Sequence, residues 1–303
     1  MRAEPARGRW RRRRARETTT ALCFLAPSLA LFVLYRILPL FWNVLLSFER
    51  WSPLRPARWE GLYYYEDMLQ SGTFWTALDN TLIFIAAAIP AIALALVIAL
   101  LVNSDLKGAA VYRTIVFLSY PLMSVAVAII WQWMFEQKAG LINYVLLSLG
   151  IIARPIPFLG SFTWALPAVI LANTWQVLGF YMIVLLAGLQ NIPVHLYEAA
   201  RIDGVPAFAR LWRITLPLLR PALFLAAIIG ILNSFSCFDL VYVMTHGGPD
   251  HATEILITYI YKSAFEEARF DYAAALTVVQ FLVLVGVTVL ANRAAGGNAG
   301  AIE

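Results

Sequence analysis

Polar and apolar positions are segregated along this chain into long blocks rather than alternated. Charge-free windows run over Thr81–Val102, Thr114–Phe135, Phe158–Gly188, Ala222–Phe238 and Ala273–Asn292. A sixth, Thr18–Phe48, is interrupted by Arg36 alone. A helix needs about 20 apolar residues to cross the hydrocarbon core. Spanning strands would be about 10 residues long with strict alternation, and a run such as Ile83–Leu101 shows none. The pattern predicts an all-α membrane protein with six transmembrane helices. Pro27, Pro39, Pro90, Pro121 and Pro167 fall inside the windows. Each removes a backbone donor and predicts a kink whose freed carbonyls neighbouring helices must cover.

Composition agrees with the pattern. The 303 residues are 61% hydrophobic and 14% charged, with mean hydropathy +0.73. That is too little charge to coat a soluble domain, and too much apolar surface for a disordered chain. Cys23 and Cys237 lie in apolar stretches and read as small buried hydrophobes, not a redox pair. The first window follows a basic start, as a signal peptide does, but from Ala21 to Phe48 it is about twice the length of a signal sequence's apolar region. It is therefore expected to remain as a span, with Arg36 snorkelling or facing protein.

Charge placement predicts orientation. Eight arginines precede the first window. Lys107, Arg113, Arg201, Arg210, Arg213, Arg220 and Arg293 fall on the same side of the predicted topology, and Arg50, Arg55, Arg58, Lys138, Arg154, Lys262 and Arg269 on the other. The positive-inside bias puts both termini in the cytoplasm. The net charge of +5 is largely this arginine tail, so it points to a topology anchor at the bilayer surface and not to nucleic acid. The expected organisation is a basic cytoplasmic tail over 1–17, a six-helix domain over 18–293, and a cytoplasmic tail over 294–303.

One connection does not read as a linker. Residues 190–220 contain Ile192-Pro193-Val194-His195-Leu196-Tyr197-Glu198-Ala199-Ala200-Arg201-Ile202-Asp203-Gly204-Val205-Pro206. Pro193 suits a first helical turn, and Gly204 with Pro206 ends the element. A second helical stretch, Ala207–Ile214, is expected before Leu216-Pro217 leads into the fifth span. Paired alanines allow another surface to approach the backbone, with Glu198 at the rim; an amphipathic interfacial helix explains the same pattern.

Glu198-Ala199-Ala200, Asp203-Gly204, Phe208, Ile214, Leu216-Pro217 and Pro221 resemble the EAA motif of permease subunits from binding-protein-dependent ABC importers. Thr245-His246-Gly247-Gly248-Pro249, Ala252-Thr253-Glu254, Tyr259-Ile260-Tyr261, Ala264-Phe265 and Tyr272-Ala273-Ala274-Ala275 are similar to the carbohydrate branch of that family, in particular the first membrane subunit of maltose and glycerol-3-phosphate importers. The resemblance covers about residues 20–293; His246 stands where that branch more often has Asn, Lys or Gly. It implies an ABC importer permease fold in a bacterial inner membrane, in which Glu198, Ala199, Ala200, Asp203 and Gly204 form a coupling helix for a separate ATPase. It also implies, as partners, a second homologous permease subunit, two copies of an ATP-binding subunit and an extracytoplasmic solute-binding protein. A separate motor has support in the residues: none of the three lysines, Lys107, Lys138 and Lys262, follows a glycine, so no phosphate-cradling loop is present.

Solute contacts are expected from polar groups inside the spans. Three clusters qualify: Tyr120 with Ser124, Asn173 and Thr174 through Gln176 with Tyr181, and Asn233-Ser234 with Cys237. The same groups would also serve interhelical hydrogen bonding. The resemblance implies that Tyr120, Ser124 and Tyr181 match sugar-contacting positions, while Thr174, Asn233, Ser234 and Cys237 occupy corresponding positions with changed residue types. Asp239, at the outer end of the fifth window, reads as a pathway carboxylate or an interfacial one, the interface being the expected place. The outer segment 241–274 holds Asp250, Glu254, Glu266, Glu267 and Asp271 against Lys262 and Arg269. It reads as a solvated acidic loop or, by the resemblance, a docking surface for the binding protein. His195, His246 and His251 lack metal-ligand spacing, so no catalytic set, metal or cofactor is expected. The expected function is import of a di- or oligosaccharide, or of glycerol 3-phosphate or its diesters, by alternating access. The alternative is a secondary transporter without a motor.

Overall fold

The longest apolar run makes the longest helix. In the computed structural model, which describes residues 7–52, 55–103 and 108–294, α4 spans Gly72–Val102 and starts where the Ser71 hydroxyl accepts from the Phe74 N–H at 3.4 Å. Before it come α1 (Arg7–Phe32), a π-helical turn at Val33–Ile37 around Arg36, and α2 (Leu38–Leu46). These form one continuous span, since both caps of the π turn remain helical. A two-stranded antiparallel hairpin follows, β1 (Glu49–Ser52) with β2 (Arg55–Trp59) in register Arg50↔Arg58, and then α3 (Tyr63–Gln70). The hairpin is a small addition to a fold that is otherwise helical, as the sequence predicts. Its Phe48–Trp59 stack at 5.6 Å and the Arg50–Glu60 pair at 3.4 Å close the turn.

Beyond α4 lie α5 (Ala109–Phe117), α6 (Ser124–Met134), α7 (Leu141–Ser148) and α8 (Ala165–Gln190). The chain continues through α9 (Val194–Ile202), α10 (Ala207–Arg210), a π-helical turn at Leu211–Thr215, α11 (Leu216–Phe235), α12 (Phe238–Thr245), α13 (Leu256–Tyr261), a π-helical turn at Lys262–Glu266 and α14 (Phe270–Ala294). Among the described residues, five helices are long and apolar enough to span a membrane: Leu22–Leu46, Gly72–Val102, Ala165–Gln190, Ala207–Phe235 and Phe270–Arg293.

The sixth expected span, Thr114–Phe135, is not one helix. It is α5 and α6, separated by turns at residues 118–123. Pro121 explains the interruption, since it donates no hydrogen bond and biases Tyr120 away from helical backbone. Two further boundaries differ from expectation. The stretch Ala207–Ile214 is not a separate helix but the first turns of the span that ends at Phe235. The basic segment expected as a tail over 1–17 is helical from Arg7, and residues 1–6 and 295–303 lie outside the described residues.

Three apolar clusters build the bundle. Ala95, Ala99, Leu185, Leu189 and Leu219 join α4, α8 and α11 near α9, with Ile192 beside them. Val127, Ala172 and Leu240 join α6, α8 and α12 in the second cluster, and Met68, Phe74, Leu256 and Leu276 join α3, α4, α13 and α14 at the end opposite α9. Half of the most apolar window of α8 is buried, against none of the first span. Gly179 lets α5 approach α8, because a Cβ there would lie 2.4 Å from the Val116 carbonyl oxygen. Of the two cysteines, Cys237 is buried as expected; Cys23 is exposed, because the first span packs so little against its own chain.

Candidate functional site

Two interruptions of the helical backbone meet at one cavity. The first is residues 118–123; the second is Ser236-Cys237, between α11 and α12. Tyr120, Leu122 and Ser124 from the first, and Asn233, Ser236, Cys237 and Asp239 around the second, line a cavity of about 360 Å³ with Asn173, Gln176, Val177 and Leu240. That volume falls within the roughly 300–1,000 Å³ of small-molecule sites. The third wall is the unbroken α8, which braces both interruptions from one face. Gln176 Nε2 donates to the Leu122 carbonyl at 3.1 Å and to Ser124 Oγ at 3.3 Å, and Asn173 Nδ2 donates to Cys237 Sγ at 3.2 Å. Residues 173 and 176 are three apart, so they share a face of α8. Irregular backbone within a membrane protein is tolerated where protein covers it or it lines a cavity; here α8 covers both interruptions, and both border the cavity.

Of the sequence-predicted pathway residues, Tyr120, Ser124, Asn173, Asn233 and Cys237 line this cavity. Tyr120 stacks on Phe180 at 4.7 Å, which fixes its ring at the wall. Thr174, Tyr181 and Ser234 sit elsewhere, around a narrow space of about 10 Å³ between α4, α8 and α11 that Asn173 also touches. That is the lower limit for a single water. The Ser234 hydroxyl faces the Gly230 carbonyl at 2.9 Å and the Phe84 carbonyl at 3.3 Å, bonds that knit α11 to α4. Leu122, Val177, Ser236 and Leu240 also line the cavity without being among the sequence-predicted residues. Asp239, expected at the interface, stands on the cavity wall in the first turn of α12. Pro121 carried a readable signal for the first interruption. The second has only the polar cluster Asn233, Ser234 and Ser236 as a trace.

At one end of the bundle α9 presents the Glu-Ala-Ala sequence. Ala200 is buried and Leu196 and Tyr197 pack toward the α4–α8–α11 core, while Glu198, Ala199, Asp203 and Gly204 are exposed. Tyr197 Oη and Thr215 Oγ1 are 3.0 Å apart, which ties α9 to the π turn that enters α11. The helix ends in a Schellman motif: Val205 N–H bonds to the Ala200 carbonyl at 2.9 Å, and Gly204 N–H to the Arg201 carbonyl at 3.1 Å. Gly204 has φ of +71°, a left-handed conformation that glycine adopts without cost. Val194, Ile202, Phe208 and Trp212 leave large apolar surfaces in solvent around it, Ile202 at 86% exposure.

The opposite end is knitted to itself. Glu254 is fully buried, paired with Lys262 at 2.5 Å and with His251 Nδ1 at 3.2 Å, while Lys262 also donates to the His246 carbonyl at 2.7 Å. Asn80 of α4 donates to the Ala252 and Glu254 carbonyls, and Thr253 bonds to Thr245 and the Gly248 carbonyl. Asp271 accepts from Tyr64 Oη at 2.6 Å. Burial first, and then that carboxylate, push the Tyr64 phenol up to about 12, so it remains a donor at any ordinary pH. Glu254 and Asp271 are therefore internal, which corrects the picture of a loop whose acidic residues are all solvated.

The fold is a helical bundle with membrane-length apolar helices and a polar cavity at two helix interruptions. The sequence matches the family described as binding-protein-dependent transport system inner membrane component over residues 69–295, and the chain belongs to that family. It is 35% identical over 277 residues to the lactose transport system permease protein LacF of Rhizobium radiobacter, covering 90% of this chain and 92% of the relative. It is 32% identical over 278 residues to the trehalose/maltose transport system permease protein MalF of Thermococcus litoralis, covering 91% and 93%. It is 33% identical over 320 residues to the diacetylchitobiose uptake system permease protein NgcF of Streptomyces coelicolor, covering 99% and 90%. The fold matches the crystal structure of a bacterial ABC transporter involved in import of the acidic polysaccharide alginate, with TM-score 0.82, 24% identity, and coverage of 95% and 98%.

Proposed function

We propose that this chain is the membrane-spanning subunit of an ATP-driven importer that moves a carbohydrate solute into the cytoplasm. In this reading both termini and α9 face the cytoplasm, and the 245–254 loop faces outward. The observation that carries it is the geometry of α9: one side anchored to the core through Ala200 and Tyr197, the other offering Glu198, Ala199, Ile202 and Gly204 to solvent. An exposed apolar patch rimmed by charge marks a partner surface. The partner is an ATP-binding subunit, present in two copies because a second permease subunit offers its own coupling helix.

The carbohydrate assignment rests on relatives named for lactose, trehalose/maltose and diacetylchitobiose transport, together with a cavity wall rich in hydroxyl and amide groups. A binding protein delivers the solute outside. ATP closes the motor subunits inside, α9 transmits that movement to α11, and the two halves of the membrane domain shift as bodies between inward- and outward-facing states. This chain performs no covalent chemistry; it binds, braces and moves. Glu198, Ala199, Ala200, Asp203 and Gly204 couple the motor, and Tyr120, Ser124, Asn173, Thr174, Tyr181, Asn233, Ser234 and Cys237 form the solute path.

Reconstitution of the chain with its permease, motor and binding-protein partners tests the reading. Uptake of a neutral disaccharide that requires both ATP and the binding protein is expected. Uptake by this chain alone, without a motor subunit, would replace the proposal with a secondary transporter.

A further inference from the structure

The cavity wall has a sign. Asp239 is the one charged side chain among its lining residues. Three residues further along α12, on the same face, Tyr242 Oη donates to Oε1 of the exposed Glu266 at 3.0 Å, which brings a second carboxylate to this helix outside the cavity lining. The nearby cations do not offset this pair. Lys262 is held by the buried Glu254 and the His246 carbonyl, and Arg269 is bound to Asp67 at 2.8 Å. Beside the carboxylates, the Phe238 and Tyr242 rings stack at 5.0 Å. Carboxylate and aromatic groups therefore stand together along α12, from Asp239 on the cavity wall to the Tyr242–Glu266 pair. We infer that Asp239, backed by Glu266, selects against anionic solutes, so that this chain passes neutral or amino-bearing sugars and rejects phosphate esters and uronates.

The chemistry follows from the groups. A carboxylate accepts hydrogen bonds from sugar hydroxyls, and more strongly from a sugar ammonium. It repels phosphate or a second carboxylate in a cleft where low-dielectric walls focus the field. The inference rests on the carbohydrate-import reading and separates two solute classes that the sequence left open, oligosaccharides and glycerol phosphates.

A measurement of the cavity's charge does not require the solute to be known. In the reconstituted importer, Leu122→Cys in a Cys23→Ser, Cys237→Ser background places a reporter thiol on the cavity wall. Its reaction rates with ethylammonium and ethylsulfonate methanethiosulfonates, each normalised to a free thiol, give a charge ratio. The cationic reagent is expected to react about tenfold faster or more. Asp239→Asn brings the ratio close to one, and Glu266→Gln, at an exposed position, lowers it less. A ratio that neither substitution changes would overturn the inference. So would ATP-dependent uptake of glycerol 3-phosphate or a uronate disaccharide at the rate of maltose, lactose or chitobiose. A preserved, Asp239-dependent ratio with no neutral sugar imported would instead sink the carbohydrate reading and leave the charge assignment standing.

Discussion

The two ends of this bundle meet water in opposite ways. At the α9 end, Ile202, Phe208 and Trp212 are largely exposed, and the chain turns at Gly204 with open space around it. At the other end a loop of similar length turns its acidic residue inward, so that Glu254 is sealed under Lys262 and His251 and Asn80 clamps the backbone from a neighbouring helix. In the proposed reading the α9 surface is left open for a partner, whereas the 245–254 loop is held by its own ion pair and hydrogen bonds. Exposed apolar surface that costs solvation free energy is retained where something else covers it. A buried ion pair gives little net stability but holds one arrangement firmly.

Four experiments strain that contrast. Lys262→Met leaves Glu254 buried without its cation, which costs on the order of 3–5 kcal/mol. Loss of folded protein by thermal unfolding in detergent is expected, and replacing both partners by apolar residues recovers most of it. A smaller but functionally complete effect is expected from Gly204→Asp and Glu198→Arg. A Cβ at position 204 meets nothing within 4 Å in this chain, so the aspartate is accommodated at a backbone cost of about 1 kcal/mol. Normal membrane levels with ATP-driven uptake reduced more than tenfold would place the defect at the partner surface; unchanged uptake would remove α9 from the coupling role. Gln176→Leu frees the Leu122 carbonyl and Ser124, a loss of about 1 kcal/mol for each hydrogen bond, and should reduce uptake several-fold with only a few degrees' change in unfolding temperature. Tyr197→Phe is the mildest. It breaks only the Thr215 tie, so uptake falls by less than half while ATP hydrolysis rises relative to solute moved.

Much of this architecture was legible in the sequence, and the illegible part has one cause. Charge-free windows report where a chain can enter lipid, so the positions of the spans and of the Glu198–Gly204 loop could be read directly. They do not report whether the backbone inside a window is continuous. Thr114–Phe135 and Ala222–Phe238 look as uniform as Thr81–Val102, yet the first breaks before Ser124 and the second reaches its break at Ser236. Proline marked one break, while the other depends on tertiary contacts from α8 that no local pattern carries. The same gap explains the site: Tyr120, Asn173 and Cys237 are readable as polar groups in apolar runs, but Asp239 lies just past the end of its charge-free window, where an interfacial and a pathway carboxylate look alike. Tyr181 and Ser234 were grouped with them by residue type, and the structure sets them around a narrower space behind.

The interrupted helices have a consequence for the membrane as an insulator. A bilayer holds an ion gradient because its interior is dry across its full thickness, and a wet cavity at the middle of a protein removes part of that thickness. On the α9 side of the cavity what remains is the layer of Ala91, Ile92, Val177, Tyr181, Met182 and Leu185, packed without charge between α4, α8 and α11. These side chains hold the bundle together, and in the importer reading they also act as the electrical seal. A substitution there that preserves folding but admits water would be detected first as a leak of protons, before any change in the solute carried.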